Sequence, residues 1–186
     1  MTTEPRMRIG VSWALVCASV AMLFTLLIVE YAKGSDFRKA AQWHKVHGSM
    51  IVVDGHKLSL PQDWWGRDPS TDGKQVVVKA SRSLLKTWQS GIIVGRKGPN
   101  EIEADEAGIR KTLEIMIGIE NQGKQTPRSS LVVVNAVSTK IYCKRTMIVE
   151  PMVELRCDVI GAPTLFTSVG LPNTEEEIEG IISTYD

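Results

Sequence analysis

The longest apolar run in the chain lies near its start. From Ile9 to Val29, "IGVSWALVCASVAMLFTLLIV", no position is charged. At about 1.5 Å of helical rise per residue, these 21 positions reach across the roughly 30 Å of bilayer hydrocarbon. A cleavable signal peptide is the rival reading, but its apolar region runs only about 7–15 residues and ends at a small-x-small site. Here Glu30 stands two before Ala32 in "EYAKG", which suits cleavage poorly. Cys17 follows Val16 inside the run, where lipoprotein processing wants a small residue. The pattern predicts a short tail over 1–8 and an uncleaved transmembrane anchor over 9–29. Cys17 is then a small apolar residue facing lipid or another helix.

Residues 30–48 read as a polar, partly helical connector. In "GSDFRKAAQWHKVHG", Ser35 or Asp36 is placed to cap a short helix, with Phe37, Ala40, Ala41 and Trp43 at the membrane surface. From residue 49 the period falls to two. Asp54-Gly55 between alternating runs marks a hairpin, with Ile51 and Val53 on one face with Leu58 and Leu60. Pro61 ends the second strand. "RDPSTDGKQ" is rich in turn residues; 75–80 and 91–96 read as strands, the latter closed by Gly98-Pro99. Residues 81–90 carry no clear pattern.

The helical period then returns. Ile109, Leu113, Met116 and Ile117 share one helix face, behind acidic Glu103, Asp105 and Glu106, with Gly118 or Gly123 as the stop. Strands follow at 130–137, 141–159 and 164–169. Thr174 with Glu177 three residues on spells a capping box before Ile178, Ile181, Ile182 and Tyr185. This order predicts an α+β fold: a mostly antiparallel sheet with two packed helices, one globular domain over 49–186.

The stretch "IYCKRTMIVEPMVELRC" carries the strongest constraint. A three-residue turn at Val149–Pro151 sets Ile148 opposite Met152 and Cys143 opposite Cys157. The same register puts Ile141, Cys143, Arg145 and Met147 on one face with Val153, Leu155, Cys157 and Val159. Tyr142, Lys144, Thr146 and Ile148 share the other with Met152, Glu154, Arg156 and Asp158. A one-residue slip would destroy both the sorting and the cysteine pair. Directly opposed Cβ atoms lie about 4.5–5.5 Å apart, near what a disulfide needs. The alternative is a pair of buried thiols in a reducing compartment. A disulfide implies an oxidising one. Positive-inside counting does not decide: Arg6 and Arg8 precede the run, whereas Lys33, Arg38, Lys39 and Lys45 follow it.

Charge excludes one class. From Gly34 onward there are 19 Lys and Arg against 19 Asp and Glu, so no basic excess points to nucleic acid. No N-x-S/T sequon is present.

Candidate chemistry is sparse. His44 and His47, three apart, would share a helix face and could hold a metal, but no thiol or carboxylate ligand lies near them in sequence. Interfacial polar residues are the simpler reading, and His56 sits after a hairpin turn. Trp64-Trp65 is a candidate binding surface; otherwise one ring caps the core and the other is partly exposed. Glu175, Glu176 and Glu177 fit a first helical turn better than a cation site. No G-x-S-x-G, H-E-x-x-H, Walker or G-x-G-x-x-G motif occurs, and no cofactor is implied. A type IV pilin would carry Glu near the start of its apolar helix; "GVSWAL" has none.

The layout, with "LSLPQDWW" ending an early strand, resembles the PsbP-like α/β sandwich over about residues 49–186. Leu60-Pro61 followed by Trp64 is its local cue, and the paired cysteines look like those of bacterial exported members with one anchor. The resemblance implies a non-enzymatic accessory or binding protein and transfers no site residue. The expectation is a single-pass membrane protein, held in the membrane through 9–29. Its C-terminal domain is periplasmic or extracellular and serves a protein partner in a membrane complex. The rival is a small membrane-tethered hydrolase or metal-dependent enzyme with a spatially assembled site.

Overall fold

An apolar run without a packing partner stays helical only where its backbone bonds itself. The computed structural model, which describes residues 6–53, 55–67, 74–82, 90–97 and 105–186, holds that run in helix α1, Arg6–Lys33. Its stretch Leu15–Lys33 has a mean hydropathy of 2.1 and none of it is buried, so it is long and apolar enough to cross a membrane. Cys17 is exposed on it.

The connector is more ordered than its polarity predicts. Helix α2, Ser35–His47, follows α1 across a single residue, Gly34. The Gly34 N–H donates to the Glu30 carbonyl at 3.1 Å and the Arg38 N–H to the Gly34 carbonyl at 3.2 Å. Helical bonding thus runs through the junction, and neither Ser35 nor Asp36 caps α2. Arg38 instead satisfies the end of α1, donating to the Tyr31 carbonyl at 2.6 Å with its guanidinium 3.7 Å over the Tyr31 ring. Ala40 is buried and Trp43 packs against the core, so these two face the domain and not the membrane surface.

The strands are β1 (Met50–Val53), β2 (His56–Ser59), β3 (Trp64–Gly66), β4 (Gln75–Lys79), β5 (Gly91–Arg96), β6 (Ser129–Asn135), β7 (Lys140–Val149), β8 (Met152–Val159) and β9 (Thr164–Gly170). Strands β1 and β2 form a separate hairpin; the other seven form one sheet ordered β3-β4-β5-β9-β8-β7-β6. Every pairing is antiparallel. Ile51 pairs with Leu58 as the pattern requires, and Gly55 takes φ 88°, a turn conformation open to glycine. The predicted turn residues 68–73, Gly98-Pro99, Asp54 and Glu103 lie outside the described residues.

Helix α4, Glu175–Ser183, lays Ile178, Ile181 and Ile182 on one sheet face, joined by Tyr185 and by Leu58 of β2. Cys143, Leu155 and Cys157 belong to that core. Helix α3, Glu106–Asn121, starts from Asp105, whose carboxylate accepts the Gly108 N–H at 2.8 Å. It runs through Gly118 and ends before Gly123, which takes φ 71°. Ile109 and Leu113 cover Tyr142 on the opposite sheet face. The polar face read for β7 is therefore partly buried: Tyr142 and Lys144 both lie under α3.

The β7–β8 register is the predicted one, with Ile141 opposite Val159, Cys143 opposite Cys157 and Met147 opposite Val153. Cys143 and Cys157 are joined as a disulfide. Only the tip differs. Val149 pairs with Met152, the register shifts across Ile148, and the turn is Glu150-Pro151 with a cis peptide. The bulge absorbs the residue assigned to a wider loop.

The capping box also fails to form. Thr174 Oγ1 donates to the Leu171 carbonyl at 2.8 Å and lies 2.9 Å from Ser90 Oγ, making no cap bond to α4. The acidic first turn is used across the fold instead. Glu175 pairs with Arg145, and Glu177 accepts from Trp64 Nε1 at 3.1 Å and Lys79 Nζ at 2.5 Å. Under α3, Glu120 accepts from nearly buried Lys144, from Ser129 and from Thr146.

These bonds give an acid-stability expectation. Lys144, Ser129 and Thr146 hold the Glu120 carboxyl below its ordinary 4.5 against desolvation. For Glu177 desolvation is the largest influence and pushes upward, but bonds from Lys79 and Trp64 overcome it and the net direction is down. A depressed carboxylate stabilises the fold fully above the unfolded carboxyl range and loses that contribution as pH falls through its folded pKa. Glu179, desolvated beside Glu175, moves upward and offsets part of this. Melting temperature should therefore fall as pH drops below about 4.5, and Glu120→Gln should flatten that fall. An unchanged acid limb in Glu120→Gln would remove Glu120 from the explanation.

Candidate functional site

Helix α2 is short and amphipathic, and β3 is an edge strand of only three residues. An edge strand leaves backbone groups unpaired. His44 answers this: Nε2 lies 2.8 Å from the Trp64 carbonyl and 3.0 Å from the Pro61 carbonyl, while Nδ1 lies 2.9 Å from the Gly48 carbonyl. His44 thereby ties α2 to β3 and to the loop before it. Trp43 lies over the β3 backbone at Gly66, where a Cβ would meet Trp43 Cζ2 at 3.2 Å. Only glycine admits that approach without displacement.

The docked helix leaves an opening on either side. One cleft, about 640 Å³, is lined by Phe37, His44, Ser49, Gln62 and Asp63. Its histidine has both ring nitrogens against carbonyl oxygens, and Asp63 stands 3.8 Å from Lys79 Nζ. The second is an open groove of about 520 Å³ between α2 and β3, lined by Lys39, Trp43, Val46, His47, Trp65 and Arg67. Trp43 and His47 stack at 5.0 Å, and the Arg67 guanidinium stands 5.8 Å from the centre of the Trp65 ring. Among the described residues, the Trp65 indole N–H is buried without an acceptor. The titratable groups lining this groove are Lys39, His47 and Arg67, with no carboxylate among its described liners. Flat rings flanked by cations favour an anionic, planar or extended ligand.

The two tryptophans therefore separate. Trp64 is fully enclosed, so it cannot serve as part of a binding surface; its indole bonds Glu177. Trp65 is half-buried and lines the groove. Alternation along β3 turns adjacent side chains to opposite faces, which divides the pair. His44 and His47 both lie on α2 but find different partners: His47 Nδ1 is 3.1 Å from the Trp43 carbonyl. Among the described residues no group of three metal-ligating side chains assembles. His56, after the β1–β2 turn, stacks on Tyr185 at 4.8 Å. Glu175 and Glu177 are ion-paired, as given above. Lys39, Trp43 and Arg67 were not legible as site residues, because only the docking of α2 on β3 joins segments more than 20 positions apart.

No protein-family model matches the chain, and no curated protein is significantly similar to it in sequence.

Proposed function

We propose that this chain is a membrane-anchored accessory or binding domain without catalytic activity, working on the oxidising side of its membrane. The observation that carries the reading is the pairing of an unburied apolar helix at one end with a Cys143–Cys157 disulfide inside the attached fold. The groove of Trp65, Trp43, Lys39 and Arg67 supports a contact role, with an acidic segment of a protein partner as the fitting ligand. The likeness to PsbP-like sandwiches belongs to the same reading. The alternative, a membrane-tethered hydrolase or metal-dependent enzyme, draws on the cleft beside His44. Its histidine has a backbone carbonyl within 3.0 Å of each ring nitrogen, which favours the binding reading.

Two measurements test this. Native membranes quenched with an alkylating agent should yield the chain with Cys143 and Cys157 unmodified and oxidised. Alkylation at both positions would overturn the extracytoplasmic placement. A photocrosslinker at exposed Val46, on the same groove, should capture one stoichiometric partner in those membranes, and Arg67→Glu should abolish the capture. Equal capture in Arg67→Glu, or none in either protein, would remove the groove as the contact surface.

A further inference from the structure

We propose that the tip of the β7–β8 hairpin is a second contact with the same bilayer that α1 enters. The inference rests on the anchored reading above and adds a docked orientation of the domain.

The tip outruns its sheet. Strand β6 begins at Ser129, opposite Thr146, and β9 ends at Gly170, opposite Val153. Ile148 to Met152 therefore has no neighbouring strand in the ladder on either side. Met147, Ile148 and Val149 are 36, 42 and 60% exposed, and outside α1 they are the only three consecutive large apolar residues exposed among those described. Pro151 is exposed beside them, and Glu150 is the one charge in the turn. Exposed apolar residues grouped at a projecting tip and rimmed by polar ones are one form that a membrane or protein contact takes.

The register says where the tip sits. Starting from Lys79, the last residue of β4, the Lys79 N–H donates to the Ser90 carbonyl at the start of β5. Gly91 then pairs with Val169, Gly170 with Val153, and Val153 with Met147. One row of the sheet therefore joins the C-terminal end of β4 to the hairpin tip. Arg82, three residues past Lys79, lies 5.7 Å from the Phe37 ring at the start of α2, which follows α1 across Gly34 alone. The end of the sheet that meets the anchor is thus the end from which the apolar tip projects.

From β4 to β8 is three strand steps, about 14 Å. Sheet twist inclines the tip to β4 by about 60–75° over those steps. A slanted approach suits a shallow contact: Ile148 and Val149 reach the headgroup boundary while Glu150 stays in its polar layer. The committed occupant is the lipid surface, because the anchor already holds this end of the domain beside it.

The test uses the full chain in vesicles of phosphatidylethanolamine and phosphatidylglycerol, with an environment-sensitive fluorophore on one cysteine. The label goes on native Cys17, on Val149→Cys, or on Ser138→Cys in the β6–β7 loop at the far end of the sheet, the last two in a Cys17→Ser background. Intact Cys143–Cys157 on non-reducing gels verifies folding. Spin-labelled headgroups should quench the label at position 149 and leave that at 138 bright. A spin label deep in the acyl chains should quench Cys17. Equal response at 149 and 138, with Cys17 quenched, overturns the tip contact and leaves the anchor standing. A Cys17 label that no lipid probe quenches overturns the anchor, and the tip contact with it.

Discussion

Trp64→Ala is expected to lower the free energy of unfolding by about 3–5 kcal/mol, the range for truncating a large buried aromatic. The ring is 0% exposed and sits in the core shared by β1–β2, the sheet and α4. Removing it opens a cavity that close-packed neighbours cannot fill. It also takes the indole donor from Glu177, although Lys79 remains as that carboxylate's partner. Trp64→Phe keeps most of the volume and loses the N–H, so it should cost about 1–3 kcal/mol. Trp65→Ala is the contrast: its ring is half-buried at the groove, so stability should change less than for Trp64→Ala while partner capture is lost. Urea unfolding of the full chain in detergent micelles, followed by near-ultraviolet circular dichroism, orders the three. Equal losses for Trp64→Ala and Trp65→Ala would refute the division of the pair into core and surface.

The second large effect lies in the cysteine hairpin. Replacing Cys143 and Cys157 together with alanine should cost about 2–5 kcal/mol, the usual range for a native disulfide. The closed loop spans 14 positions, for which restriction of the unfolded chain alone gives about 3 kcal/mol. Both residues are fully buried, so alanine is preferred to serine, which would add an unpaired hydroxyl to the core. The native fold should survive, because the β7–β8 register is also fixed by Ile141 against Val159 and Met147 against Val153. Thermal unfolding with and without reductant checks this. Reductant should lower the wild-type midpoint and leave the double variant unmoved. A wild-type midpoint indifferent to reductant after unfolding would show that the bond adds nothing.

Local periodicity was enough to read most elements, though not the three-residue edge strand β3. A charge-free run of 21 residues gave α1, Ile109 with Leu113 gave α3, and Ile178 with Ile182 gave α4. The β7–β8 register was legible for a stronger reason. Two independent constraints, the sorting of faces and the opposition of the cysteines, share one solution. The tip was misjudged because a bulge and a wider loop use the same number of residues. Backbone bonding at Ile148, which leaves no mark in composition, separates them.

What the sequence determined by itself is whatever depends on spacing along one chain segment: the N-terminal apolar helix, the helical faces, the alternation of strands and the pairing of Cys143 with Cys157. What only the tertiary structure decided is which distant groups meet. Thr174 and Glu177 spell a local cap, yet Glu177 is taken by Trp64 and Lys79 from β3 and β4. A charged donor and a neutral indole from across the fold outcompete one backbone N–H within the turn. Residues 30–48 read as a polar, partly helical connector, yet His44 and Trp43 bind that helix to the β3 edge and make the groove beside Trp65. Tyr142 and Lys144 read as a solvent face, yet α3 covers them and supplies Glu106 and Glu120 as their acceptors. Burial of a polar face is set by what packs upon it, and a segment's own pattern holds no record of its distant neighbour.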